Sequence, residues 1–139
     1  MSGLEGIPIQ VQNLPSVAGG GYSQALFAEL ENALQGLLDS GREHSIDLRS
    51  LPLAPGELES LKEALGRGEV TVEVNALGKS DVQETAYRGI WWVTHHNAVD
   101  EVMAEFIEVS FCPDIIRAQR DDVRESLEAL SDRLTGNEE

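Results

Sequence analysis

Two tryptophans stand side by side, Trp91 and Trp92, inside the segment Ile90-Trp91-Trp92-Val93-Thr94-His95-His96, and the chain has no others. The segment is rich in β-branched and aromatic residues and is bounded by Gly89 and Asn97, the marks of a strand. Successive strand residues point to opposite faces of a sheet, so Trp91 and Trp92 cannot enter the same core. The sheet must then be covered on both sides. The chain's own helices can cover one face, and the other is expected to carry an outward-facing tryptophan for a subunit or client, since tryptophan is enriched among the residues that dominate binding energy.

A chain of 139 residues fits a single domain over 1–139, long enough to bury roughly two-thirds of its unfolded surface. Ile7, Ile9 and Val11 alternate with Pro8 and Gln10, which predicts a short edge strand within residues 1–21, followed by the glycine run Gly19-Gly20-Gly21. That run has neither a Gly-Lys-Ser/Thr ending nor Gly-x-Gly-x-x-Gly spacing, so it reads as a flexible loop. Leu26, Leu30, Ala33, Leu34 and Leu37 recur at helical spacing over 23–40, with Ser23 as N-cap. Leu58, Leu61 and Leu65 mark a second helix at 55–65, and Val123, Leu127, Leu130 and Leu134 a third at 121–134, with a frayed tail at 135–139.

Strand patterns fall at 46–48, 70–76, 81–87, 90–96 and 101–110. Strand, helix and strand over 46–76 read as a βαβ unit with two parallel strands. The short turns between the last three patterns make a β-meander. The predicted fold class is α+β, on a mixed, mostly antiparallel sheet with three main helices.

Twenty-five acidic residues against ten basic ones give a net charge of −15, which repels nucleic acid and anionic membranes and favours a basic partner. Apolar runs are far shorter than a membrane span, and no basic region precedes an apolar one at the N-terminus, so a cytoplasmic protein is expected. Cys112 is the only cysteine, which suits a reducing compartment and excludes an internal disulfide or a four-thiolate cluster. His95 and His96 cannot chelate one ion together because they alternate across the strand. No metal or cofactor is expected.

Glu84, Glu105 and Glu108 could hold an acid and a base in unlike environments, but Glu105 and Glu108 fall on opposite faces, and no nucleophile motif accompanies them. No catalytic residue is assigned. Trp91, Trp92, His95, Glu84, Glu105 and Glu108 stand as candidate partner-binding residues. The alternative is a small-ligand site or acid–base enzyme with a pocket near Glu84, His95 and Glu105.

Four blocks occur in order: Ile46-Asp47-Leu48-Arg49-Ser50-Leu51-Pro52-Leu53, then Leu65-Gly66-Arg67-Gly68-Glu69-Val70, then Glu84-Thr85 with Gly89-Ile90-Trp91-Trp92-Val93, then Ile107-Glu108-Val109 with Pro113-Asp114-Ile115-Ile116. In these the chain resembles the hydrogenase expression/formation protein HupH family, which includes HyaF-type proteins, over roughly residues 22 to 120. The match looks like the C-terminal domain of longer members. The resemblance implies a non-enzymatic, chaperone-like accessory protein of NiFe hydrogenase maturation. Its expected partner is the iron–sulfur-containing small-subunit precursor, before assembly or export, or other maturation proteins. Such precursors carry a twin-arginine leader, basic and partly apolar, which suits an acidic binder. Two-sided burial of the strands at 90–96 and 101–110 adds the expectation of a homodimer.

Overall fold

The computed structural model describes residues 21–136. The strand expected at Ile7 to Val11 and the end of the tail lie outside the described residues. Helix α1 spans Gly21–Ser40, β1 His44–Asp47, α2 Glu57–Leu65, β2 Thr71–Asn75, β3 Lys79–Glu84, β4 Ile90–His96, β5 Val102–Val109 and α3 Arg120–Thr135. Short 3₁₀ turns follow β1 at Leu48–Ser50 and β5 at Asp114–Ile116. The α+β class and the meander are as the sequence predicts. Helix α1 begins ahead of Ser23, which therefore lies inside the first turn.

The strand order is β1-β5-β4-β3-β2, and every neighbouring pair is antiparallel. This corrects the mixed sheet and its βαβ unit. Strands β1 and β2 do run in the same direction, but the whole meander separates them, and each forms one edge. Ile46 faces Ile107 of β5 in the final register, because the closing strand of the meander still needs a partner on its open side. Local apolar pattern carries no information about that distant choice.

Alternation along β4 splits the interior into two clusters. On the helix face Ile90, Trp92, Ile107 and Val109 meet Leu26, Leu30 and Leu37 of α1 and Leu61 and Leu65 of α2. On the other face Trp91, Val93 and Val82 form a smaller cluster, closed by Val72, Phe106 and Ile116 of the second 3₁₀ turn. Burying a leucine of this kind fully contributes about 1.5–3 kcal/mol.

Helix α3 takes no part in either cluster. It has no buried residue, and Val123, Leu127, Leu130 and Leu134 are between 54 % and 86 % exposed. Among the described residues nothing covers the stripe that reads as a core face in the sequence.

The β4–β5 turn needs one left-handed residue, and Asp100 supplies it with φ of 68°, a conformation that Asp tolerates better than most residues. Asn97 Oδ1 accepts from the backbone N–H groups of Val99 and Glu101 at 3.0 and 2.9 Å, which fixes the turn without a glycine.

Candidate functional site

Three of the four sequence blocks meet at the end of the sheet where β3 passes into β4. Glu84 is buried, and its Oε1 accepts from the backbone N–H groups of Glu69 and Val70 at 3.1 and 3.3 Å. A Cβ on Gly68 would lie 2.5 Å from the carbonyl oxygen of Thr85 and 2.7 Å from Glu84 Oε1, so only glycine allows this approach. The hydroxyl of Thr85 lies 3.0 and 2.9 Å from the carbonyls of Tyr87 and Ile90, closing the turn. Gly89 sits at its tip with φ of 97°, close under Leu34 and Leu37 of α1.

Between this turn and α1 lies an apolar hollow of about 440 Å³, lined by Leu34, Leu37, Leu38, Glu84, Arg88, Gly89, Trp91 and Phe111. A second hollow of about 210 Å³, lined by Phe27, Leu30, Glu31, Leu34, Leu65, Tyr87 and Ile90, shares Leu34 with it. The two hollows are neighbours along α1, with Leu34 between them, and form a trough-like face. Leu38 and Phe111 are exposed on its rim, and Phe27 packs edge-on to Tyr87 at 6.5 Å along its wall. The acidic groups of α1 are Glu29, Glu31 and Asp39, and the helix has no Lys or Arg. Of these only Glu31 lines the hollows, where the buried Glu84 and the basic Arg88 also stand, so the trough is chiefly apolar within a strongly acidic chain.

Neither tryptophan faces outward, which corrects the expected exposed aromatic. Trp91 is 7 % and Trp92 3 % exposed. The indole N–H of Trp91 donates to the carbonyl of Ser110 at 3.0 Å, and Ile116 packs against its cluster. The chain thus uses its own post-β5 turn where a partner was expected. Trp91 still reaches the trough as a lining residue.

The pocket expected near Glu84, His95 and Glu105 does not form. Glu84 pairs with Trp91 at one end of β3, whereas His95 pairs with Ser80 at the other. His95 Nδ1 lies 2.7 Å from the Ser80 hydroxyl, and the ring packs edge-on to Phe106 at 5.7 Å. Glu105 is on the helix face, where its Oε2 accepts from Trp92 Nε1 at 3.2 Å beside a polar hollow lined in part by Lys62, Arg67, Asp81 and His96. Glu108 lies under the second 3₁₀ turn, and burial, reinforced by Asp114 and Glu43, holds its carboxyl above the usual range. Of the six candidate partner-binding residues, Trp91 and Glu84 therefore line the trough, and the other four are engaged elsewhere. Among the described residues no cluster of three or more His, Cys, Asp or Glu could hold a metal ion.

Leu34, Leu38, Gly89 and Phe111 escaped the reading of the sequence as site residues. No pattern set them apart, because Leu34 and Leu38 continue the apolar face that Leu26, Leu30 and Leu37 form on α1. Among the described residues no helix is long and apolar enough to cross a membrane.

An α+β domain with two helices on one face of an antiparallel sheet, and an open apolar trough at the sheet's end, is the class that emerges. The chain belongs to the family described as HupH hydrogenase expression protein, C-terminal conserved region, which it matches over residues 22–136. A solved structure of hydrogenase expression protein HupH from Thiobacillus denitrificans ATCC 25259 is 42 % identical with a TM-score of 0.78, covering 86 % of this chain and 99 % of that one. Hydrogenase expression/formation protein HupH of Rhizobium leguminosarum bv. viciae is 28 % identical over 127 residues, 91 % of this chain and 45 % of that protein. HoxQ of Azotobacter vinelandii is 33 % identical over 87 residues, 63 % of this chain and 31 % of that protein. The chain thus spans less than half the length of these curated relatives.

Proposed function

We propose that this domain is a non-catalytic, chaperone-like binding module of NiFe hydrogenase maturation that holds a segment of the small-subunit precursor in the trough along α1. The relatives' names, hydrogenase expression/formation proteins, supply the process. The observation that carries the binding role is the trough itself, an apolar channel whose α1 wall carries acidic but no basic residues, in a chain of net charge −15. A leader that is basic and partly apolar suits the apolar lining and the acidity of the chain as a whole. The client is met in the cytoplasm, before assembly or export.

Attraction between unlike charges raises the association rate, whereas apolar contact on the trough floor and rim governs dissociation. The test is the binding kinetics of the precursor, with and without its leader, against wild type and a Leu38→Asp/Phe111→Asp variant. Both substituted residues are exposed, so the fold is retained. The variant is expected to lose on the order of 30-fold in affinity, equivalent to about 2 kcal/mol. Unchanged binding by the variant, or equal binding of the leaderless subunit, would overturn the proposal.

A further inference from the structure

The polar hollow on the helix face of the sheet, about 440 Å³ in volume, shares no lining residue with the trough. Charges of both signs line it: Lys62 and Arg67, from α2 and the loop after it, and Asp81 and Glu105, from β3 and β5. The two signs border one space without meeting. Among the described residues neither Lys62 nor Arg67 forms an ion pair.

Nor are the carboxylates compensated elsewhere. Glu105 Oε2 accepts from Trp92 Nε1 at 3.2 Å and from Thr94 Oγ1 at 3.5 Å, and both donors are uncharged. Asp81 Oδ2 has Lys79 Nζ and His96 Nδ1 only at 4.0 Å, the outer edge of an ion pair. The Nδ1 proton of His96 goes to the carbonyl of Lys79 at 3.2 Å, which leaves Nε2 as the acceptor of the ring.

The register holds the signs apart. Asp81 and Glu105 stand on either side of Thr94 in the neighbouring strands. The ammonium of Lys62 lies over Trp92, 5.3 Å from the ring centre, and Trp92 is two residues from Thr94, about 7 Å along the strand. An arginine or lysine residue with a free carboxylate carries opposite charges separated by a stem of that reach. Arginine fits better, because its planar head brings N–H donors in a fork, and Asp81, Glu105 and His96 supply acceptors on that side. We propose that the hollow binds an arginine residue bearing a free carboxylate, with the carboxylate at Lys62 and Arg67 and the guanidinium over Thr94 between Asp81 and Glu105. A purely anionic ligand would meet both carboxylates, and a purely cationic one would meet both cations. The site is separate from the trough, so its failure leaves the client proposal standing.

The experiment is calorimetric titration of the full chain with arginine, Nα-acetylarginine, agmatine, which lacks the carboxylate, and citrulline, whose head is uncharged. Arginine or its acetyl form is expected to bind saturably, and on the order of tenfold more tightly than agmatine or citrulline. Equal binding of Nα-acetylarginine identifies a chain end as the source, and binding of arginine alone identifies the free amino acid. Lys62→Gln/Arg67→Gln should remove the preference over agmatine, and Asp81→Asn the preference over citrulline. Lys62 and Arg67 are exposed and Asp81 is half-buried, so thermal unfolding of both variants should match wild type. Three results would overturn the proposal: no saturable binding of either arginine form, agmatine or citrulline binding as tightly, or preferences that persist in the variants.

Discussion

Trp92 and Glu105 are joined across the helix face of the sheet, with the indole Nε1 donating to the carboxylate at 3.2 Å. The ammonium of Lys62 lies 5.3 Å from the centre of the same ring, so α2 is tied to this pair by a cation–π contact. A hydrogen bond to a charged acceptor contributes about 1.5–3 kcal/mol. Glu105→Ala is expected to lower unfolding free energy in urea by about that amount. Glu105→Gln keeps the acceptor and should recover at least half of the loss.

Backbone proximity at Gly78 leads to a second prediction. A Cβ there would lie 2.0 Å from the carbonyl oxygen of His96, closer than any side chain can come. Gly78→Ala must therefore push the β2–β3 turn away from the end of β4, with a cost of about 2 kcal/mol or more. Hydrogen exchange should show the loss concentrated in Lys79, Ser80, His95 and His96, with α1 unaffected.

Glu108 sets a pH dependence. Its carboxyl is held above the usual range, first by burial and then by Asp114 and Glu43. The folded state thus holds this proton more tightly than the unfolded chain does. That contribution is complete below the ordinary glutamate range and disappears as pH rises through the raised folded value. Glu108→Gln should match wild-type stability in mild acid and exceed it at neutral pH. Parallel stability curves for the two proteins would refute this.

Trp91 and Phe111 line the same trough and should respond in opposite ways. Trp91 is core, so Trp91→Ala is expected to destabilise the fold by about 3–5 kcal/mol. Phe111 is exposed, so Phe111→Ala should leave the melting temperature within about 2 °C while weakening client binding. Chemical denaturation and binding kinetics on both variants separate the two roles.

The opposed tryptophans, the meander and the helices were legible because they depend on local period. Trp92 meeting α2 while Trp91 meets Ile116 is what alternation demands. The pairing of Ile46 with Ile107 was not legible, because an edge strand's neighbour is chosen by the whole sheet. The stripe on α3 was legible as a pattern but not as a surface, since Leu127 and Leu130 look the same in sequence whether covered by their own chain or by another. The trough was not legible, because Leu34 and Leu38 extend the same apolar face of α1 as Leu30 and Leu37. Phe111 lies beyond β5, where no periodicity marks it.

The placement of β1 has a kinetic consequence. Asp47 cannot find Phe106 until the last strand of the sheet is available, whereas β2 to β5 close through short turns. Closing the longer loop is entropically slower, so the meander should form the folding nucleus and β1 should dock late. Substitutions in Val82 or Val93 would then slow folding, while those in Ile46 would chiefly speed unfolding. On the ribosome, α1 would wait for its sheet until β5 has emerged.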